Sequence, residues 1–531
     1  MEHALRRHVE SRHAYAHRRK TLAWGVILAL GIAVALAVLM VGCGSVTSTP
    51  DAAMTPHTAA PLSITDVQNI VQAAAQAADS ASMVIAVVDR GGSVLAVYRK
   101  PSAGTTAAGN FGALVKVNDL AVALARTAAY FSNDQAPLSS RTVRFISGIH
   151  FPPGVANTNN APLYGIENTN RGCTLSTNYL AGQTVQPSLS LSGGTGPGII
   201  TGKADLQDSD ANTVNPGGVP IFRSGVVVGG VGVAGVSPNL AEYAAYAAAT
   251  SNGFGPTPAE PGVVFINGIA LPFVNQTTAP AGVSPGTFTG TFLLGPLASA
   301  GQPPEGDLVA ATAGPLGGLG VTDVQGILNN AETTANLTRA VIRLPLGSRA
   351  KMVIAVADLD GTIIGLRRMT DSTVFSIDVA ATKARNMVYF NSGSRTAADL
   401  NQVHMGTAVT NRTIGFGAQP LFPPGVDGTA SGPFFSLYAQ DVANPCTQGF
   451  QGGPPNKNKS GIVFFPGSVG LYRNGVLVGG LGVSGDGVDQ DDYVAAGGAA
   501  GFEAPTQIRA DQIVIDSVRL PYQKFPENPT N

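Results

Sequence analysis

The chain has 531 residues, of which 44% are hydrophobic and 12% charged, with 66 glycines and 36 prolines. That length accommodates roughly two to four domains with real cores joined by long turns and loops. Net charge is −1, and outside residues 1–42 there are 26 basic against 31 acidic residues, so the folded part carries no electrostatic footprint for nucleic acid.

The N-terminus combines a basic segment ending in Arg18-Arg19-Lys20, an uncharged apolar run from Leu22 to Gly42, and then Cys43. A basic region, an apolar run and small residues before a cut site make an export signal. The residues before Cys43 resemble a bacterial lipoprotein signal, in which that cysteine is lipidated; Met40 stands where Leu is usual. The competing reading is an uncleaved anchor, since about 20 apolar residues span a bilayer. Both attach the chain to a membrane through residues 1–43 and place the folded part outside the cytoplasm. Residues 44–61, rich in Ser, Thr, Pro and Ala, read as a flexible tether.

From residue 62 every element is met twice. Val67, Ile70, Val71, Ala74 and Ala78 recur at helical spacing, with Ser63 as the candidate cap and Asp66 in the first turn. Strand Met83–Asp89, turn Arg90-Gly91-Gly92 and strand Ser93–Arg99 follow. The second copy starts its helix at Val321-Thr322-Asp323, adds an insertion at Leu337–Arg349, and repeats the hairpin as Met352–Asp358, Leu359-Asp360-Gly361 and Thr362–Arg368. Helices Asp119–Phe131 and Asp378–Phe390 align through Ala-Arg and Tyr-Phe pairs. Next come Phe151-Pro152-Pro153-Gly154-Val155 and Phe422-Pro423-Pro424-Gly425-Val426, then long Asn/Gly/Ser/Thr-rich loops at 156–215 and 427–462. Cys173 and Cys446 lie 22 and 24 residues past these motifs, at corresponding positions. An exported chain permits a disulfide between them, which spacing alone does not decide.

The best-matched stretch is Arg473-Asn474-Gly475-Val476-Leu477-Val478-Gly479-Gly480-Leu481-Gly482-Val483-Ser484-Gly485, nine of whose thirteen positions repeat in residues 223–235. Asn474-Gly475 and Ser224-Gly225 are turn dipeptides, and each run after them reads as a strand covered on both faces. Its glycines admit close approach by another backbone or by a flat ligand. Helices Leu240–Thr250 and Asp489–Ala500 follow, and each half closes with a shared strand, Val264–Phe273 and Ile513–Tyr522. The domains are therefore 62–275 and 320–525, with residues 276–319 as a Gly/Pro/Ala/Thr-rich linker and 526–531 as a tail. Two-residue turns make neighbouring strands antiparallel, so the class is α+β, an antiparallel sheet between helical layers in each half.

Together these motifs resemble the GlcG/HbpS-like family, known as haem-binding or haem-degrading. The resemblance rests on residues 85–92 with Arg99, on residues 354–361 with Arg368, and on Ala380-Ala381-Thr382-Lys383-Ala384. It rests further on Pro216-Gly217-Gly218-Val219-Pro220 and on Gly482-Val483-Ser484-Gly485 followed by Asp489-Gln490-Asp491-Asp492. It implies two tandem profilin-like domains that pack as a pseudo-dimer, with room for further oligomerisation, and haem or a similar tetrapyrrole as ligand. Neither half is intact: Leu124, Ala234 and Asn239-Leu240-Ala241-Glu242 stand in the first half where the second has Lys383, Ser484 and the acidic signature.

On the resemblance, Lys383, Ser484, Asp491, Asp492, Arg99 and Arg368 are the candidate ligand-binding residues, and the second half holds more of the site. Each also has a plain structural reading. The acids start a helix and suit its dipole, Lys383 sits on a helix face open to solvent, and Arg99 and Arg368 pair with Asp89 and Asp358. His150 and His404 are the candidate axial haem ligands, beside surface or core roles. No Ser-His-Asp pattern, phosphate-cradling loop or zinc-ligand spacing is present. The leading reading is a non-enzymatic, envelope-attached haem or tetrapyrrole binder. The alternatives are an enzyme or accessory protein of small 2-hydroxy acid metabolism, and a structural module without ligand.

Overall fold

The computed structural model describes residues 58–108, 114–166, 216–256, 264–393, 395–443 and 461–530. The first half opens with α1 (Ile64–Ala77), whose start is fixed by a reciprocal cap. The Ser63 side chain accepts the Asp66 amide hydrogen, and the Asp66 carboxylate accepts the Ser63 amide at 2.8 Å. Strands β1 (Val84–Asp89) and β2 (Val94–Arg99) form the first hairpin, and a small second hairpin, β3 (Thr106–Ala108) with β4 (Leu114–Lys116), leads into α2 (Val117–Phe131) and α3 (Ser140–Phe145). Strands β5 (Gly218–Arg223) and β6 (Val226–Ala234) and helix α4 (Pro238–Ser251) complete the set. After the short strands β7 (Phe265–Ile266) and β8 (Ile269–Ala270) come β9 (Thr291–Leu294) and β10 (Gly306–Val309). The second half repeats the plan with α5 (Val321–Leu337), β11 (Val353–Ala357), β12 (Ile363–Arg368), α6 (Phe375–Asn391), α7 (Asn411–Gly417), α8 (Phe435–Ala443), β13 (Ser468–Arg473), β14 (Val476–Ser484) and α9 (Val488–Gly498). It ends in β15 (Val514–Ile515) and β16 (Val518–Arg519).

Each half is an α+β, profilin-like domain with a five-stranded antiparallel sheet. The orders are β5-β6-β1-β2-β9 and β10-β12-β11-β14-β13. Alternation along β1 sends Ile85 and Val87 into a core with α1 and α4, and Val84, Ala86 and Val88 into a second core with α2. Strand β11 does the same: Ile354 and Val356 face α5 and α9, while Val353, Ala355 and Ala357 face α6. The α2-facing and α6-facing residues of both halves belong to one continuous apolar cluster. Within it Phe131 and Phe375 stack with ring centroids 4.1 Å apart, and the Val374 amide donates to the Tyr130 carbonyl at 3.1 Å. Around the seam Asn133 Nδ2 donates to the Ile342 carbonyl at 3.0 Å, Gln135 Nε2 to the Leu344 carbonyl at 2.8 Å, and Tyr164 Oη to the Ala418 carbonyl at 3.1 Å.

The strand glycines serve backbone packing. A Cβ at Gly232 would lie 2.0 Å from the Ala121 carbonyl of α2, and one at Gly482 would lie 2.2 Å from the Ala380 carbonyl of α6. Only a residue without a side chain lets those helices approach so closely.

Three expectations change. The segment 276–319 is more than a linker, since it gives β9 to the edge of the first sheet and β10 to the edge of the second. The closing strands Val264–Phe273 and Ile513–Tyr522 are two-residue hairpins, each bent at positive-φ residues, Asn267-Gly268 and Asp516-Ser517. Arg99 and Arg368 do not pair with Asp89 and Asp358. Asp89 accepts the Ser93 amide at 2.8 Å, and Asp358 accepts the amides of Leu316 at 3.1 Å and Gly317 at 2.8 Å. Both carboxylates thus tie turns rather than arginines.

Candidate functional site

Two of the candidate residues, Lys383 and Asp491, meet in the second half, closed off from solvent. Lys383 projects from α6 with no solvent exposure. Its Nζ donates to the Val483 carbonyl at 2.7 Å and to Asp491 Oδ2 at 3.0 Å, and lies 4.9 Å from the centroid of the Phe465 ring. The solvent-facing reading of Lys383 is therefore corrected: β14 and α9 cover it. Burial pulls both partners toward their neutral forms, lowering the lysine and pushing Asp491 up to about 7 against the attraction of Lys383. Asp491 Oδ1 is buried and has no partner. Ser484 donates to Ser376 Oγ at 3.1 Å. Asp492, also buried, accepts from Arg412 Nε at 2.5 Å and from the amides of Gly467 at 2.8 Å and Lys524 at 3.1 Å. Asp492 thus does more than start α9: it anchors the helix to the residue before β13, to α7 and to the C-terminal segment.

The same position in the first half is open. Gly217 and Gly467 correspond, with φ of +119° and +116°. A Cβ at Gly467 would meet Asp491 Cβ at 2.5 Å and Lys383 Nζ at 2.6 Å, whereas one at Gly217 would meet Ala241 Cβ at 3.2 Å and Leu124 Cδ1 at 3.4 Å. Leu124 and Ala241 therefore stand where Lys383 and Asp491 stand, and Ala234 where Ser484 stands. With those shorter and uncharged side chains, a cleft of about 360 Å³ remains against β3 and the segment before it. Leu120 and Leu124 of α2, Val233 and Ala234 of β6, Ala241 of α4 and Ala107 of β3 form its apolar wall, and among the described residues no charged side chain lines it. Apolar-lined clefts of this size are where small molecules bind. The cleft thus lies in the first half, whereas the second half has the charged candidate residues packed against one another.

The two arginines grip the chain that follows β2 and β12. Arg99 donates to Asn118 Oδ1 at 3.2 Å, to the Gly104 carbonyl at 3.0 Å and to the Ala103 carbonyl, holding the segment that forms one rim of the cleft. Arg368 is buried and donates to the carbonyls of Ser372 at 2.7 Å, Pro303 at 3.1 Å and Pro304 at 3.2 Å. His150 is buried, with Nε2 2.8 Å from Asp427 Oδ1 across the two halves. That bond and the Asn157 amide hold the Asp427 carboxyl below its usual range. His404 is exposed on the loop between α6 and α7. Neither histidine lines the cleft. Cys43, Cys173 and Cys446 lie outside the described residues, as does the apolar run 22–42. Among the described residues no group of three or more His, Cys, Asp or Glu gathers as a metal site.

Sequence reasoning missed three arginines. Arg141 forms a buried, two-point pair with Glu242 at 2.7 and 3.1 Å, and Arg412 repeats it with Asp492 and Asp489. The shared Arg-Thr after a Ser or Thr cap, Ser139-Ser140-Arg141-Thr142 and Thr410-Asn411-Arg412-Thr413, was the available signal. Arg343 comes from the second-half insertion, is fully buried, and binds Asp371 at 2.5 Å and Asp486. The two carboxylates hold its guanidinium above its ordinary range despite burial.

The chain matches no curated protein. Among solved structures it is similar to the crystal structure of a PduOC:haem complex, at 24% identity over 35% of this chain and 95% of that one, with a TM-score of 0.23. It is also similar to the Klebsiella pneumoniae protein ORFY of the DUF336 family, at 20% identity over 34% of this chain and 88% of that one, with a TM-score of 0.22. The family model described as haem degrading protein HbpS-like matches residues 62–250 and again residues 329–500. Those two regions make up most of the length, and the chain belongs to the HbpS-like family as a tandem pair of its domains.

Proposed function

We propose that this protein is a non-enzymatic binder of haem or a related tetrapyrrole, with one site per chain in the first-half cleft. The observation that carries this is the contrast between the copies: the second half fills the position with Lys383 and Asp491, and the first leaves it apolar and open. Family membership points to the ligand class, and Leu120, Leu124, Val233 and Ala107 suit the flat apolar faces of a macrocycle. A small 2-hydroxy acid fits less well, because its carboxylate needs a cation and none of the described residues that line the cleft supplies one. Titrating haemin into the full chain, with absorbance read in the Soret region, should saturate at one haemin per chain. The absence of a saturable change would refute the reading.

The protein acts in this reading from the outer side of a membrane, attached through residues 1–43, with Cys43 as the lipidated residue. The basic segment, the apolar run and the cysteine after Val41-Gly42 support it. Metabolic labelling with a radioactive fatty acid should mark the chain and fail in Cys43→Ala; labelling that survives the substitution would refute Cys43 as the lipidated residue, and an unaltered chain that takes up no label while staying in the membrane fraction points to an uncleaved anchor. We also read the two halves as a covalent stand-in for a two-subunit unit, supported by the Phe131–Phe375 stack and the polar contacts around it.

A further inference from the structure

The geometry points to a site that holds a tetrapyrrole by its macrocycle, without a bond from the described residues to the metal, so that metal-free porphyrin binds about as well as haemin. This rests on the function proposed above and specifies what the cleft recognises.

The usual strong ligands of haem iron are His, Cys, Met and Tyr side chains, and none is among the described residues that form the cleft. The two described histidines are placed elsewhere. His150 is buried at the seam with Nε2 held by Asp427, and His404 is exposed on the other half, between α6 and α7. Charge recognition is missing from the wall as well. The second half shows what a charged version of this position looks like: Lys383 and Asp491 satisfy each other at 3.0 Å and fill the space. Replacing them by Leu124 and Ala241 removes both charges and creates apolar surface. A charged group moved into that space would lose its water and meet no counter-ion, so the charged substituents of a ligand stay in the mouth of the cleft. What enters is the uncharged body of the ring, held in proportion to the apolar area it covers. The metal contributes no recognition in such an arrangement.

The test titrates the full chain in parallel with haemin, read by absorbance, and with metal-free protoporphyrin IX, read by its own fluorescence. The inference expects dissociation constants within about threefold of each other, whereas a lost iron–protein bond costs the metal-free ring far more than about tenfold. Two variants locate the site. Ala107→Trp, on the half-exposed β3–β4 hairpin, fills the cleft without entering the main core. Leu124→Lys with Ala241→Asp imports the second-half pair. Both should weaken the two ligands alike, by about tenfold or more. Metal-free porphyrin binding more than about tenfold weaker than haemin would overturn this inference while leaving the tetrapyrrole function intact. Unchanged affinity of both ligands in both variants would overturn the assignment to the cleft. Failure of both ligands to bind the unaltered chain would overturn the function and this inference together.

Discussion

Lys383 shows how much one residue's meaning depends on what covers it. On a helix wheel it is a lysine among alanines, and only the fold places β14 and α9 over its ammonium group. The pair with Asp491 is a buried ion pair in which both members are pulled toward neutrality, so its net stabilisation is small while breaking it is costly. Lys383→Leu alone leaves the Asp491 carboxyl buried without its cation and should destabilise the protein by about 3–5 kcal/mol in urea-induced unfolding. Lys383→Leu with Asp491→Ala recreates the pairing of Leu124 with Ala241 and should recover most of that loss. Losses in the double variant equal to the sum of the two single losses would show that the residues do not act as a pair. The same contrast explains why the cleft was not legible in the sequence. Richer chemistry at Lys383, Ser484 and Asp491 looked like a site, yet in a packed interior those groups consume one another, and poverty of side chain at Leu124, Ala234 and Ala241 is what leaves room.

At the scale of elements, legibility followed length and locality. The hairpins β1–β2, β5–β6, β11–β12 and β13–β14 were readable because mostly apolar strands of five to nine residues flank two- to five-residue turns. The start of α1 was readable because Ser63 and Asp66 carry the cap within four residues. The edge strands β9 and β10 were not. Each has four residues, half covered at best, and each is defined by pairing with a strand that is remote in sequence. Strands β3 and β4, of three residues each, escaped for the same reason, although β3 lines the cleft. The closing segments were misread for a different cause. Asn267-Gly268 is a turn dipeptide inside an apolar run, and its pairing with Asp516-Ser517 in the other copy drew attention to the shared hydrophobic pattern and away from the turn. Arg343 lay in an insertion that duplication could not flag, since the first half has no counterpart.

For the whole molecule, the two halves share one apolar cluster, and Arg343 of the second-half insertion reaches Gln135 of the first half at 3.2 Å as well as its own Asp371. Severing the halves would expose the α2-facing and α6-facing surfaces together. Thermal unfolding followed by calorimetry should therefore show one cooperative transition for residues 58–530, with calorimetric and van't Hoff enthalpies in agreement. Two transitions, each reproduced by an isolated half, would contradict the joint unit. The linkage of the copies into one chain has a further consequence. In an assembly of identical subunits a substitution is written on every copy at once, so a change that opens one binding position opens its symmetry mate too. Here the gene spells the position twice, as Leu124 and as Lys383, and each spelling is free to drift. Carrying both copies in one chain thus lets the two versions of a position diverge independently, as Leu124 and Lys383 have done.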